Sequence, residues 1–184
     1  MDKSFNNFYI QFNWLFLVSM NLIIESTLKT LQKSNSLLSF VNNAQLCDNS
    51  VSPYYSSIGS HIRHILDFYD CILNFESDSV NLTDRKRDET VENFTDSAIN
   101  YLESIKERIK SLPFELEKEI IVIDDLGMGK IEIKYTFASL LAQANSHTIH
   151  HYAIINYILN GLNLEFKDEQ FGLNPTTPKK ISTQ

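Results

Sequence analysis

Apolar positions repeat with a helical period over most of the chain, and the period changes once. From Met20 to about Asn43, Leu22, Ile23, Leu28, Leu31, Leu38 and Val41 recur at mixed three- and four-residue steps, which predicts an amphipathic helix. "NAQLCDNSVSPYYSS" follows with Asn, Asp, Ser and Pro at loop density, and Ser56 or Ser57 is placed to cap a second helix through "IGSHIRHILDFYDCILNF". "ESDSVNLTDRKRDE" reads as a polar connection. Asp88 or Thr90 then opens a third helix on which Val91, Phe94, Ala98, Tyr101, Ile105, Ile109 and Leu112 keep near-heptad spacing, with Pro113 ending it. The period changes in "EIIVIDDLGMGKIEIKYT", where β-branched residues flank a glycine-containing turn and predict a β-hairpin or extended excursion. A fourth helix is predicted from Phe137 to about Leu159, stopping at Gly161 in a left-handed cap. The tail "LNLEFKDEQFGLNPTTPKKISTQ" has little periodicity.

Four amphipathic helices with one long connection predict an all-α four-helix bundle carrying that excursion between helices three and four. A chain of 184 residues suits one domain with a single core, expected over residues 20–184. Residues 1–19 are set apart as an N-terminal extension. Their apolar stretch "FYIQFNWLFLVSM" follows a single lysine, like a weak signal-peptide core or short membrane segment, which gives an alternative of membrane association or export. Asp2, Gln11 and Asn13 weaken that match, and a second reading takes Met20 as the natural start.

Composition narrows the function classes. The net charge is -7 and the basic residues are scattered, so no nucleic-acid partner is expected. Cys47 and Cys71 lie far apart without CxxC spacing, which fits a reduced, cytoplasmic setting.

All five histidines fall in two short stretches: His61 and His64 in "SIGSHIRHILDFYD", and His147, His150 and His151 in "SHTIHHYAII". His147 and His151 lie about 40° apart around a helix, one turn above the other, so the pair can chelate. Leu140, Ala144, Ile154 and Ile158 share their stripe, which turns both imidazoles inward and puts His150 on the flank beside Tyr157. Buried imidazoles need partners for their nitrogens, and either a metal or buried hydrogen bonds supply them. On the second helix, phase puts His61 near the middle of an apolar arc and His64 on its edge, in line with Phe68, Cys71 and Phe75; both remain candidates for a third donor. Three neutral imidazoles suit a divalent transition metal such as Zn, Ni, Fe or Co. Asp67 is a candidate to support His64, or else a solvated acid of the helix face. Tyr69, Tyr152 and Tyr157 are candidates to line a pocket or to pack in the core.

At these residues the chain resembles the DinB/YfiT-like superfamily of metal-dependent four-helix proteins. "SIGSHIRHILDFYD" is similar to its helix-two motif and "SHTIHHYAII" to its later HxxxH segment, while "DRKRDETVE" and "FGLNPTTP" resemble linker and tail motifs of one branch. The resemblance runs from about Met20 to the C-terminus. It implies a metal held by one histidine of the second helix and two of the HxxxH pair, which carries over to His64, His147 and His151, with His61 and His150 as neighbours. It also implies thiol-dependent transfer as one chemistry of the group.

Three functions follow as expectations. The first is a metal-dependent enzyme, a thiol S-transferase or hydrolase, acting on a low-molecular-weight thiol or other small molecule. The second is a noncatalytic metal- or small-ligand-binding protein, a stress or sensor module. The third is a helical homodimer in which the histidines only pack.

Overall fold

The computed structural model describes residues 3–112 and 116–178, with the side chains of residues 3–21 left aside. Among the described residues the chain forms six helices and a three-stranded mixed sheet, which overturns the expected all-α four-helix bundle. The order is α1 (Lys3–Phe40), α2 (Asn43–Leu46), α3 (Ile58–Leu73), β1 (Ser79–Asn81), α4 (Glu89–Asn93), α5 (Thr95–Lys110), β2 (Glu119–Asp125), β3 (Lys130–Thr136) and α6 (Phe137–Gly161). The four long helices share one core: α1 and α3 each pack against both α5 and α6. Leu31, Leu37, Ile62, Ile65, Leu102, Ile105, Leu141 and Ile155 are fully buried there.

The sheet is the element that the bundle expectation lacked. β2 and β3 pair antiparallel as the expected hairpin, with Val122 opposite Ile133. β1 adds to the other edge of β2 in parallel, with Val80 beside Val122. It lies inside the segment read as a polar connection, because only Val80 and Leu82 of that segment are buried and two apolar positions give no period. The hairpin turn is closed by Asp125, whose Oδ1 accepts from Gly127 N at 2.8 Å and Gly129 N at 3.2 Å. Both glycines have φ near +100°, which their lack of a Cβ permits.

Helix boundaries also shifted, each for a physical reason. The third helix of the sequence pattern is broken at Phe94, which leaves the helix with extended backbone and half-exposed side chain. Asn43 Oδ1 takes both the amide and hydroxyl of Thr95, at 2.9 and 3.0 Å, and so starts α5 afresh. Pro113 lies outside the described residues. At the end of α6 the left-handed residue is Asn163 (φ 55°), not Gly161. Leu164 N donates to Leu159 O at 2.9 Å and Asn163 N to Asn160 O at 3.1 Å, a Schellman-type closure. Gly161 is needed for another reason: a Cβ there would strike Val51. α1 spans Lys3–Phe40 and so covers most of the stretch set apart as an extension, whose side chains lie outside the description. No helix among the described residues is long and apolar enough to cross a membrane.

One face of α3 is polar yet covered. Arg63 pairs with Asp67 at 2.7 Å and with Glu92 of α4. Asp70 takes Arg108 of α5 at 2.6 Å and Lys86 at 3.2 Å, and these cations hold its carboxyl below the usual range despite burial. Asp67 is therefore a buried structural ion-pair partner, neither a solvated acid nor a support for His64. Cys47 and Cys71 are unbridged; the Cys71 thiol is buried, which pushes it up to about 11, and donates to Asp84 O at 3.2 Å.

α3 begins with Ser57 capping Ser60 N at 3.0 Å, followed by Gly59, whose backbone lies directly against that of Glu92 in α4. A Cβ at Gly59 would collide with the Glu92 carbonyl oxygen. Gly59→Ala is expected to destabilise the fold by about 1–3 kcal/mol, the range for overpacking a tight contact. The urea unfolding midpoint checks this; an unchanged midpoint would mean the two backbones do not meet.

Candidate metal centre

α3 contributes His61 and His64 from its first two turns, and α6 contributes His147 and His151 from its middle, where the two helices pack together. His64, His147 and His151 each offer a ring nitrogen, and the three atoms lie within 4.8 Å of one another. His64 Nε2 is 2.8 Å from His147 Nε2, and His151 Nε2 is 3.1 Å from the same atom. The three rings stand 4.5 to 5.0 Å apart, centroid to centroid. His151 is buried, and His64 and His147 are half-buried.

The two candidates on α3 differ in position along the axis. Phase gave His61 the better angle, but His61 lies one turn nearer the N-terminus and meets only His151, through Nδ1 to Nδ1 at 2.9 Å. His64 is level with both histidines of α6. His61 thus stands behind His151, its Nε2 2.9 Å from Ser56 Oγ. His150 is exposed, with its ring 6.5 Å from His147 and 5.4 Å from His151, outside the converging group.

Two further residues complete the surroundings and were not singled out by spacing. Phe68, one turn beyond His64, lays its ring 4.9 Å from that of His147. Arg85, from the connection after β1, donates from Nη1 to His64 Nδ1 at 2.9 Å and from Nε to Leu82 O at 3.2 Å. Arg85 falls within the quoted "DRKRDETVE", but no periodicity ties a linker residue to a helical histidine 21 positions before it. The tyrosines divide: Tyr69 and Tyr152 are fully buried core, and Tyr157 is exposed. Tyr69 takes a long hydrogen bond of 3.4 Å from Thr148, which keeps the two helices in register beside the histidines.

Burial and mutual repulsion hold the cluster neutral. Burial pulls His64 down to about 4, aided by the Arg85 and His147 charges. Burial likewise pulls His151 down to about 2, with the other histidines adding to it, and lowers His147 and His61. Neutral imidazole is the form that ligates metal. The spacing also suits an ion: two nitrogens each about 2.05 Å from a tetrahedral centre stand about 3.3 Å apart, within roughly half an ångström of the 2.8 and 3.1 Å that separate His147 from His64 and His151. The donor set therefore fits a divalent transition metal in both chemistry and scale.

No family model matches this chain. No curated protein matches it either.

The lowered histidines make stability pH-dependent in a definite direction. Unfolded imidazoles titrate near 6.5, so below that pH the unfolded chain binds protons the folded cluster refuses, and stability rises with pH across that window. For His64 the loss on acidification runs from about pH 6.5 down to its folded value of about 4. The urea midpoint of chelator-treated protein should fall steadily from pH 6.5 to 5, above the range of most carboxylates. A flat midpoint there would mean the folded imidazoles protonate as freely as unfolded ones.

Proposed function

We propose that this chain is a DinB/YfiT-like protein that binds a divalent transition metal, Zn, Ni, Fe or Co, through His64, His147 and His151, and uses it in thiol S-transfer. The observation that carries the reading is the convergence of three neutral imidazole nitrogens from α3 and α6 on one point. Four motifs in the order of that superfamily add support. A bound divalent ion supplies Lewis acidity, which lowers the pKa of a thiol or water at its open position.

The chain's own residues do the rest. His61 and Ser56 orient His151 from behind, and Phe68 packs against His147 and keeps water from that side of its ring. The acids of α3 nearest His64 in sequence are already committed, Asp67 to Arg63 and Asp70 to Arg108 and Lys86, which leaves Asp124 of β2 as the carboxylate whose charge acts on His147. A metal-activated thiolate requires no separate carboxylate base. The alternative, a noncatalytic metal-binding or sensor module, shares the same ligands and is distinguished by metal retention without thiol-dependent turnover.

Metal content by mass spectrometry, on untagged protein, tests the ligand set. The natural chain is expected to carry about one metal per chain, as a single three-histidine site with an open position requires. His64→Ala, His147→Ala and His151→Ala should each abolish it. His61→Ala should keep the metal but hold it on the order of tenfold more weakly, as loss of an orienting partner does. A folded natural chain that takes up no metal even on reconstitution with Zn and Ni would sink the reading.

A further inference from the structure

Six polar groups form one chain through the site: Ser56, His61, His151, His147, His64 and Arg85, with successive separations of 2.9, 2.9, 3.1, 2.8 and 2.9 Å. Its two ends differ in kind. A serine hydroxyl donates or accepts, whereas a guanidinium only donates. Arg85 therefore makes His64 Nδ1 an acceptor, and a neutral His64 must carry its proton on Nε2, the atom that faces His147.

That is the opposite of what ligation needs. A metal-bound imidazole gives its lone pair to the ion and turns its other N–H toward an acceptor. At the Ser56 end the chain can reverse: His151 Nδ1–H donates to His61 Nδ1, and His61 Nε2–H donates to Ser56 Oγ. At the Arg85 end it cannot. A proton on His64 Nδ1 would face an Arg85 N–H at 2.9 Å, donor against donor. Ligation through His64 Nε2 and the Arg85 hydrogen bond exclude each other.

Arg85 shares a cavity with Asp70, Glu76 and Asp84, of which Asp70 is already held by Arg108 and Lys86. Among the described residues Arg63 and Arg108 are paired with carboxylates, but Arg85 is paired with none. Its Nε bond to Leu82 O keeps the head near the histidines. Three neutral imidazoles bring no negative charge to a divalent ion, so a loaded site beside Arg85 carries positive charge that an incoming anionic ligand offsets in addition to Asp124, whose charge already acts on His147.

We infer that Arg85 is the anion-binding residue of this site, held on His64 until a metal takes His64 Nε2 and then released to a small anionic ligand such as a carboxylate. The inference rests on the metal reading above and narrows its ligand class.

The test uses the full chain and R85Q, stripped with a chelator and then loaded with zinc. Long-range proton–nitrogen NMR of the imidazoles should find His64 of the natural chain protonated on Nε2 before zinc and on Nδ1 after it. Competition against a chelating dye should show zinc held on the order of tenfold more tightly by R85Q, whose amide oxygen can accept from Nδ1–H. Acetate should move the Arg85 Nε–H signal of the zinc-loaded chain and not of the stripped one, and should bind zinc-loaded R85Q about tenfold more weakly, the worth of one charge-assisted hydrogen bond. His64 already protonated on Nδ1 in the stripped natural chain, zinc affinity unchanged or weakened in R85Q, or acetate binding indifferent to Arg85 would each overturn the inference. Zinc binding by neither protein would instead remove the metal reading beneath it.

Discussion

The packing of α3 against α6 is the constraint on which the site depends. Histidines 64, 147 and 151 converge because two helices from opposite halves of the chain are pressed together at one level, and a shift of one turn, 5.4 Å, would separate them. Several features fix that level. Ile62, Ile65, Leu141, Ala144 and Ile155 fill the contact with no exposed surface, and Thr148 meets Tyr69 within it. Gly59 lets α4 close over the start of α3.

The polar face of α3 serves the same end by other means. Arg63, Asp67 and Asp70 would be poor choices for burial alone, since each charge is costly to desolvate unless paired. Here each is paired, and the partners come from α4, α5 and the linker. Because removing one member of such a pair strands the other, these contacts specify which elements cover α3 and in what register. The linker that supplies Lys86 to Asp70 also supplies Arg85 to His64, so one short segment answers to both the scaffold and the site.

Periodicity made the helices and the hairpin legible, and the clustering of histidines made the site worth looking for. What it could not show has physical causes. A three-residue strand such as β1 is defined by its partner β2 rather than by its own pattern. The break at Phe94 is made by Asn43, which holds Thr95 across fifty-two positions, while the local heptad spacing runs straight through it. Helical phase ranks residues by angle and is blind to height, which is why it favoured His61 when His64 is the one level with the α6 pair. Arg85 had no local signal at all, since its partner is set by the tertiary fold.

Tyr152 follows His151 directly and is gripped from two sides. Its hydroxyl meets Ser34 at 2.5 Å and donates to Thr30 O at 2.9 Å on α1, while Phe171 of the tail stacks on its ring at 4.5 Å and Gly172 presses on the backbone of Ala153. The rotational setting of α6 is thus held by an N-terminal helix and a C-terminal tail. Fine adjustment of the histidine cluster is therefore open to changes at the far ends of the chain, and relatives with identical histidines but different tails would be tuned differently.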